Sequence, residues 1–241
     1  MKTFYKEDEL YLDPYFQMEN FLFNETVASV FPDMIKRSVP GYSTILEMIG
    51  LMTKRYSIPE THLYDLGCSL GAVSLILKEN SHSCKVVGVD NSKSMISLAK
   101  KRMKYKSKKV SFLLSDIENF SFSPSSIIVL NFTLQFIPIN QREALLRRIK
   151  NALLPGGILI LSEKIIGETK KENLLQLDMH HAFKRIQNYS EMEIKKKQSS
   201  LDNVLFPETV SQHLNRLLRL GFSVDGPWFQ NCNFISIVAK V

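Results

Sequence analysis

Short runs of β-branched and apolar residues recur through the middle of the chain, at 62–66, 85–90, 110–114, 126–130 and 157–162, and each predicts a strand. Between them, 71–78, 94–106 and 141–153 carry apolar residues at helical spacing. In the last of these Leu145, Leu146, Ile149 and Leu153 fall on one face, and Pro155-Gly156-Gly157 ends the helix. Strand and helix alternate throughout, which predicts parallel βαβ units. Residues 222–224 and 234–241 predict two further strands around a loop holding Pro227 and Trp228, a hairpin that would add an antiparallel edge to the parallel sheet.

The flanks read differently. Residues 34–37 and 43–52 show helical apolar spacing on either side of a break at Pro40-Gly41, so residues 1–54 are expected to form a helical cap on a main unit spanning 55–241. A second helical segment is expected at about 165–215, inserted into that unit. Both would fold over the strand ends, where ligands of such sheets bind. No internal repeat or low-complexity stretch interrupts the pattern.

Composition narrows the class. With 241 residues, 44% of them hydrophobic, the chain can bury one substantial core. Cys68, Cys84 and Cys232 are too few and too scattered for a disulfide framework or a zinc site, so a reducing compartment and no metal are expected. Near the N-terminus Lys2 and Lys6 are followed by Glu7, Asp8, Glu9 and Asp13, not by an apolar leader, and no apolar run approaches the roughly 20 residues of a membrane span. A soluble, cytoplasmic protein is the expectation.

Lysine and arginine exceed the acids by 31 to 24, a net charge of +7 that favours anionic partners without selecting one. Much of the excess lies in Lys100, Lys101, Arg102, Lys104, Lys106, Lys108 and Lys109. No aromatic stacking platform interleaves with them, so a solvated helix face is expected rather than direct nucleic-acid binding.

The candidate chemistry sits at strand ends. Asp65-Leu66-Gly67-Cys68-Ser69-Leu70-Gly71 follows the first strand and opens the first helix, where a glycine-rich turn lets backbone approach a ligand closely. Asp90 ends the second strand about twenty residues beyond the turn, the position from which a carboxylate accepts both hydroxyls of an adenosine ribose. Asp116 follows the third strand, within reach of an adenine amino group, and Asn131 ends the fourth. The turn reads D-x-G-x-x-x-G and lacks the full G-x-G-x-x-G fingerprint, so a ligand without a pyrophosphate fits better than a dinucleotide. Taken singly, each of these residues could also serve as an ordinary turn former or helix cap.

Together the turn, Asp90, Asp116 and Asn131 are laid out as in class I S-adenosylmethionine-dependent methyltransferases. Longer strings resemble the carboxy-S-adenosyl-L-methionine synthase family: Val30-Phe31-Pro32-Asp33-Met34, Arg37-Ser38-Val39-Pro40-Gly41-Tyr42, Leu130-Asn131-Phe132-Thr133-Leu134-Gln135-Phe136, Ser162-Glu163-Lys164 and Met179-His180-His181. The blocks span roughly residues 23 to 238. The resemblance implies a Rossmann-like α/β fold with a mostly parallel seven-stranded sheet, an antiparallel C-terminal edge and a helical cap. It also implies a homodimeric enzyme that moves the carboxyl group of prephenate onto the methyl carbon of S-adenosylmethionine and releases phenylpyruvate and water. The product would serve a tRNA carboxymethyltransferase acting on a wobble uridine.

Carried over by position, the family's cofactor contacts fall on Tyr42, on Gly67, Cys68 and Ser69, on Asp90 and Asn91, on Asp116 and Ile117, and on Asn131. A further family contact, an arginine that reaches across the dimer to the added carboxylate, falls on Gln198. A neutral amide replaces a charged bidentate fork there, although Lys195, Lys196 and Lys197 lie just before it. Arg37, His180, His181, Lys184 and Arg185 are candidates to hold an anionic substrate, and no catalytic base stands out. Two other readings remain open: an ordinary methyltransferase for a small molecule or RNA, and a non-catalytic tRNA-associated binding protein.

Overall fold

The computed structural model describes residues 6–13, 15, 20–81, 83–103 and 110–241. Helices α1 (Glu25–Ser38) and α2 (Tyr42–Tyr56) lead into β1 (His62–Leu66), α3 (Ala72–Asn80), β2 (Lys85–Asp90), α4 (Lys93–Met103) and β3 (Ser111–Leu114). Then come β4 (Ser125–Asn131), α5 (Ile139–Ala152) and β5 (Leu153–Lys164). Three more helices, α6 (Lys170–Ile186), α7 (Glu191–Leu201) and α8 (Val210–Arg219), precede a closing hairpin of β6 (Pro227–Asn231) and β7 (Phe234–Lys240). The seven strands lie in the order β3-β2-β1-β4-β5-β7-β6, parallel from β3 through β5, with β7 antiparallel to β5 and β6 antiparallel to β7. This is the Rossmann-like α/β arrangement with an antiparallel C-terminal edge.

Alternation along the central strands builds two core layers. Leu66, Ile128, Leu130, Leu159 and Leu161 face α5 and α8, packing with Leu145, Ile149 and Leu217. Leu63, Ile127, Val129, Ile158 and Ile160 face the other way, against Ile45 and Ile49 of α2 and Val73 and Leu77 of α3. Helix α2 therefore packs on the sheet face beside α3, while α1 crosses the strand ends and packs Val27, Val30 and Met34 against Leu70 and Met95. Asn24 caps α1 by accepting the Val27 N–H at 3.0 Å, and Ser190 with Glu193 forms a capping box at the start of α7. Among the described residues no helix is long and apolar enough to cross a membrane.

Two expectations change. Pro227 and Trp228 belong to β6, not to a loop, and the 222–224 segment contributes only an isolated bridge between Ser223 and Lys240. Proline is tolerated as the first residue of an edge strand, where no partner needs its missing N–H. The Pro155-Gly156-Gly157 turn lies within β5: Leu153 already pairs with Ser125, and after the excursion Ile158 resumes with Ile127. Helix α4 is described from Lys93 to Met103, and the rest of the expected 94–106 helix, with Lys104, Lys106, Lys108 and Lys109 of the basic run, lies outside the described residues.

Sheet order reverses between β1 and β4, whose partners on the outer side are β2 and β5. The chains leaving β1 and β4 diverge to opposite faces there, which opens a crevice at the carboxyl ends of the strands. Helices α1, α6 and α7 roof that crevice.

Candidate active site

A cavity of about 400 Å³ lies in the crevice, within the size range of small-molecule sites. Its floor is the β1–α3 turn. Gly67 has φ +73°, and a Cβ there would lie 2.4 Å from Thr133 Oγ1, which itself donates to Leu66 O at 2.8 Å. Gly71 has φ +78°, with the Phe112 ring 2.6 Å from where a Cβ would be. Both positions exclude a side chain, and at Gly67 bare backbone lines the cavity. Gly67 and Cys68 donate their N–H groups to Val89 O, at 2.8 and 3.0 Å, tying the turn to β2.

Asp90 is only 8% exposed, yet it is not spent on the fold. Oδ2 accepts the Ser69 N–H and Oδ1 the Ser92 N–H, both at 2.8 Å. A carboxylate has about four acceptor sites, so each oxygen keeps a lone pair for a ligand hydroxyl. Burial raises the Asp90 pKa and those two N–H bonds oppose the shift. Asp65, at the start of the turn, accepts both the N–H and the hydroxyl of Ser74 on Oδ2. Burial pushes its pKa up to about 7. The adjoining Cys68 thiol is pushed up by burial as well, so it remains a neutral wall group.

Asn131 brings a buried Oδ1 with no hydrogen-bond partner among the described residues, an atom oriented for something other than the protein. Tyr42, Asn91, exposed Asp116 and buried Ile117 complete this part of the lining. Nine of the sequence-derived positions thus meet around one cavity: Tyr42, Gly67, Cys68, Ser69, Asp90, Asn91, Asp116, Ile117 and Asn131. Gln198 does not join them. It is exposed on α7, outside the lining of its own chain.

The opposite end of the cavity is basic. Lys164 ends β5, Lys184 and His180 lie one turn apart on α6, and Lys197 lies on α7; all four line the cavity. Lys197 Nζ donates to Ser38 Oγ at 2.8 Å and meets Asp8 Oδ2 at 3.4 Å. His180 Nε2 is 2.9 Å from Ser38 O. A carbonyl can only accept, so Nε2 carries the proton and Nδ1 is the acceptor. Burial, followed by the charges of Lys184 and Lys164, pushes the His180 pKa down to about 2, which keeps the ring neutral. Burial and then Lys197 and Lys164 push Lys184 down to about 7. Lys164 is also shifted down, by burial.

Other candidates for an anion are committed elsewhere. Arg37 donates to Gln187 O at 2.9 Å and Asp8 O at 3.3 Å, pairs with Asp33 at 3.1 Å, and stacks 4.2 Å over the Tyr189 ring. It clamps the 6–13 segment and the end of α6 to α1. Arg185 is exposed and pairs with Glu191, and half-buried His181 does not line the cavity. Sequence reasoning gave no role to Asp65 or Lys164. Asp65 was visible as the first residue of the glycine turn, and Lys164 as the basic residue that closes the Ser162-Glu163-Lys164 string after the apolar part of β5.

The donor set fits S-adenosylmethionine. Buried Asp65 and Asp90 favour a cationic ligand, the Asp90 lone pairs suit a ribose diol, and the glycine turn and the unpartnered Asn131 Oδ1 leave room and an acceptor for an amino-acid tail.

Comparison with known proteins agrees with this geometry. A methyltransferase domain family model matches residues 63–157, from β1 to the middle of β5. The carboxy-S-adenosyl-L-methionine synthase of Stutzerimonas stutzeri (strain A1501) is 49% identical over 240 residues, covering 96% of this chain and 97% of that protein. The synthase of the same name from Trichlorobacter lovleyi is 47% identical over 239 residues, covering 97% and 98%. Among solved structures, magnesium protoporphyrin IX methyltransferase from Synechocystis PCC 6803 with bound SAH superposes with a TM-score of 0.61 at 16% identity, covering 86% of each chain. Human N-acetylserotonin methyltransferase in complex with SAM also gives 0.61, at 15% identity over 90% of this chain and 55% of that one. These two show the fold. Near-full-length identity to the synthases shows more, and the chain belongs to the carboxy-S-adenosyl-L-methionine synthase family.

Proposed function

We propose that this protein is a carboxy-S-adenosyl-L-methionine synthase that takes S-adenosylmethionine and prephenate to carboxy-S-adenosylmethionine, phenylpyruvate and water, the ring hydroxyl leaving with the proton lost from the methyl group. One observation carries the reading: the cavity is acidic at one end and basic at the other. Asp65 and Asp90 lie at the carboxyl ends of β1 and β2 and Asp116 follows β3, whereas Lys164 ends β5. Three inter-strand steps of about 4.8 Å separate the β2 and β5 ends, roughly 14 Å. A cationic nucleoside and a dianionic acid can therefore be held side by side in one enclosure. A simple methyl transfer to a neutral acceptor would not call for the second end.

Bound S-adenosylmethionine supplies a sulfonium whose methyl carbon is the carboxyl acceptor. In this proposal Asp90 holds the ribose, Asp116 and Ile117 the base, and Gly67, Cys68, Ser69 and Asn131 the amino-acid tail, with Tyr42 and Asn91 closing the sides. Phe23 on the approach to α1 meets Phe136 edge to face at 5.3 Å, and these rings exclude water from the cavity mouth. Helix α1, within the expected 1–54 cap, covers the cavity, and the 165–215 insertion supplies Lys184 and Lys197 of the basic end. A homodimer belongs to the same proposal. Leu175, Met179 and Ile186 of α6 are 60%, 49% and 76% exposed, an apolar patch that a second subunit would cover and that would bring Gln198 of α7 near it. The product is passed to a tRNA carboxymethyltransferase in the cytoplasm.

The test is mass spectrometry of a quenched reaction containing the protein, prephenate and S-adenosylmethionine. A nucleoside heavier by one carboxyl group, with phenylpyruvate, is expected. Unchanged substrates under conditions where S-adenosylmethionine binds would overturn the proposal. A second reading is favoured by Gln198: an ordinary methyltransferase, which would instead accumulate S-adenosylhomocysteine when supplied with its acceptor.

A further inference from the structure

Two ammonium groups line the cavity without an ion-pair partner, Asp202 acting on Lys164 and Asp8 on Lys184 only from beyond that distance. Among the described residues neither Lys164 nor Lys184 has a carboxylate within ion-pair distance, and neither Nζ makes a hydrogen bond to the protein. Lys184 is 7% exposed. The groups that face it are Lys197 from α7, Lys164 from β5, His180 and His181 from its own helix, and Asp8 from the N-terminal segment. Asp8 is already engaged by Lys197 and by the Tyr189 hydroxyl. His180 is neutral and its Nε2–H is directed to Ser38 O, so it brings no charge to compensate. Buried cations left unpaired are costly, and proteins keep them where a ligand completes the pair.

We propose that Lys164 and Lys184, steadied by Lys197 and with His180 packed beside them, form an anion subsite within a single subunit that holds a carboxylate of the carboxyl donor. This rests on the function proposed above and adds residues to it. It also accounts for an amide at position 198. The cationic contacts come from β5 and α6 of the same chain that binds the cofactor, so a guanidinium from a neighbouring subunit is not required for the donor to bind.

The arrangement couples binding to a proton. In the open site the Lys184 ammonium is opposed by burial and by two neighbouring cations, and at pH 8 much of it is deprotonated. An arriving carboxylate reverses the local charge and raises the Lys184 pKa, so above about pH 7 the complex takes up a proton as it forms. Affinity then falls as pH rises, by up to roughly tenfold per pH unit between the pKa of the open site and that of the complex.

Isothermal titration of prephenate into protein saturated with S-adenosylhomocysteine tests this. Wild type should bind, with a heat at pH 8 that varies with the ionisation enthalpy of the buffer, as proton uptake requires. Lys184→Met and Lys164→Met should each weaken prephenate at least tenfold while leaving S-adenosylhomocysteine affinity within twofold, and Lys184→Met should abolish the buffer dependence. Lys195→Met, which removes an exposed lysine of the same basic stretch, should bind like wild type. Both pocket variants should melt at or above the wild-type temperature, because an unpaired buried cation has gone. Prephenate affinity unchanged in both pocket variants would overturn the subsite and leave the proposed function standing. S-adenosylhomocysteine binding without any prephenate binding in wild type would overturn the substrate assignment and the subsite with it.

Discussion

Replacing Gly67 with alanine is the sharpest probe of the cofactor cradle. At φ +73° an L-residue costs about 1–2 kcal/mol relative to glycine, through the approach of Cβ to the backbone. The new methyl would also lie 2.4 Å from Thr133 Oγ1 and 2.5 Å from its Cγ2, so the β1–α3 turn or the Thr133 rotamer must move. Overpacking of this kind costs about 1–3 kcal/mol, for a sum of about 2–5 kcal/mol. Thr133 cannot simply rotate, since its hydroxyl donates to Leu66 O, a bond worth about 1 kcal/mol net. Urea unfolding should therefore show Gly67→Ala destabilised by that amount, and calorimetry should show S-adenosylmethionine bound at least tenfold more weakly. The double variant Gly67→Ala/Thr133→Gly removes every Thr133 atom beyond the backbone and should recover part of the stability, with a coupling of about 1–2 kcal/mol. Equal stability of wild type and Gly67→Ala would refute the reasoning. A coupling of zero would refute the role assigned to Thr133.

Three further substitutions probe separate parts of the molecule. Glu163 is fully buried, accepts the Leu134 N–H at 3.0 Å and has its pKa pushed up to about 8, first by burial. A carboxyl whose folded pKa is raised stabilises the fold below its unfolded value near 4.5, and that contribution is lost as pH rises toward 8. Glu163→Gln should therefore flatten the decline in stability between pH 5 and pH 8, measured by urea midpoints across that range. Arg142 is wholly buried, pairs with Glu208 and donates to Ile137 O and Phe206 O, so Arg142→Ala should cost about 3–5 kcal/mol on thermal or chemical denaturation. Gln198→Arg should tighten carboxy-S-adenosylmethionine roughly tenfold or more, the worth of one charged hydrogen bond, without changing S-adenosylmethionine affinity. Titration of both nucleosides into the variant checks it.

The sheet and the acidic end of the site were legible because local patterns specify them. The strands at 62–66 and 85–90 coincide with β1 and β2 residue for residue, since each is a short buried run bounded by polar turns. Asp90 and Asn131 end strands whose neighbours are fixed by the fold, so position along the chain was enough to bring them to the crevice. The basic end was harder. Lys184 stood among five candidates for an anionic substrate and Lys197 in a run of three lysines, and nothing local singled either out; Lys197 is buried by packing against Asp8, Ser38 and Tyr189, up to 189 residues away in sequence. A faint signal was present. Gln176, His180 and Lys184 recur every fourth residue, and Ile194, Lys197 and Leu201 share a face, so both lysines lie on inward stripes. At the C-terminal hairpin, Pro227 suggested a loop because proline seldom occupies a strand. Only the sheet order shows that β6 is an edge, where the missing donor does no harm.

The central claim is that one cavity brings the sulfonium methyl of S-adenosylmethionine to a carboxyl group drawn from prephenate. Phenylpyruvate retains the side-chain carboxyl, so the group transferred must be the one on the ring. Prephenate carrying carbon-13 in the ring carboxyl should give carboxy-S-adenosylmethionine labelled in its added carboxyl and unlabelled phenylpyruvate, read in one mass spectrum. An unlabelled carboxylated product, or S-adenosylhomocysteine in its place, would contradict the account.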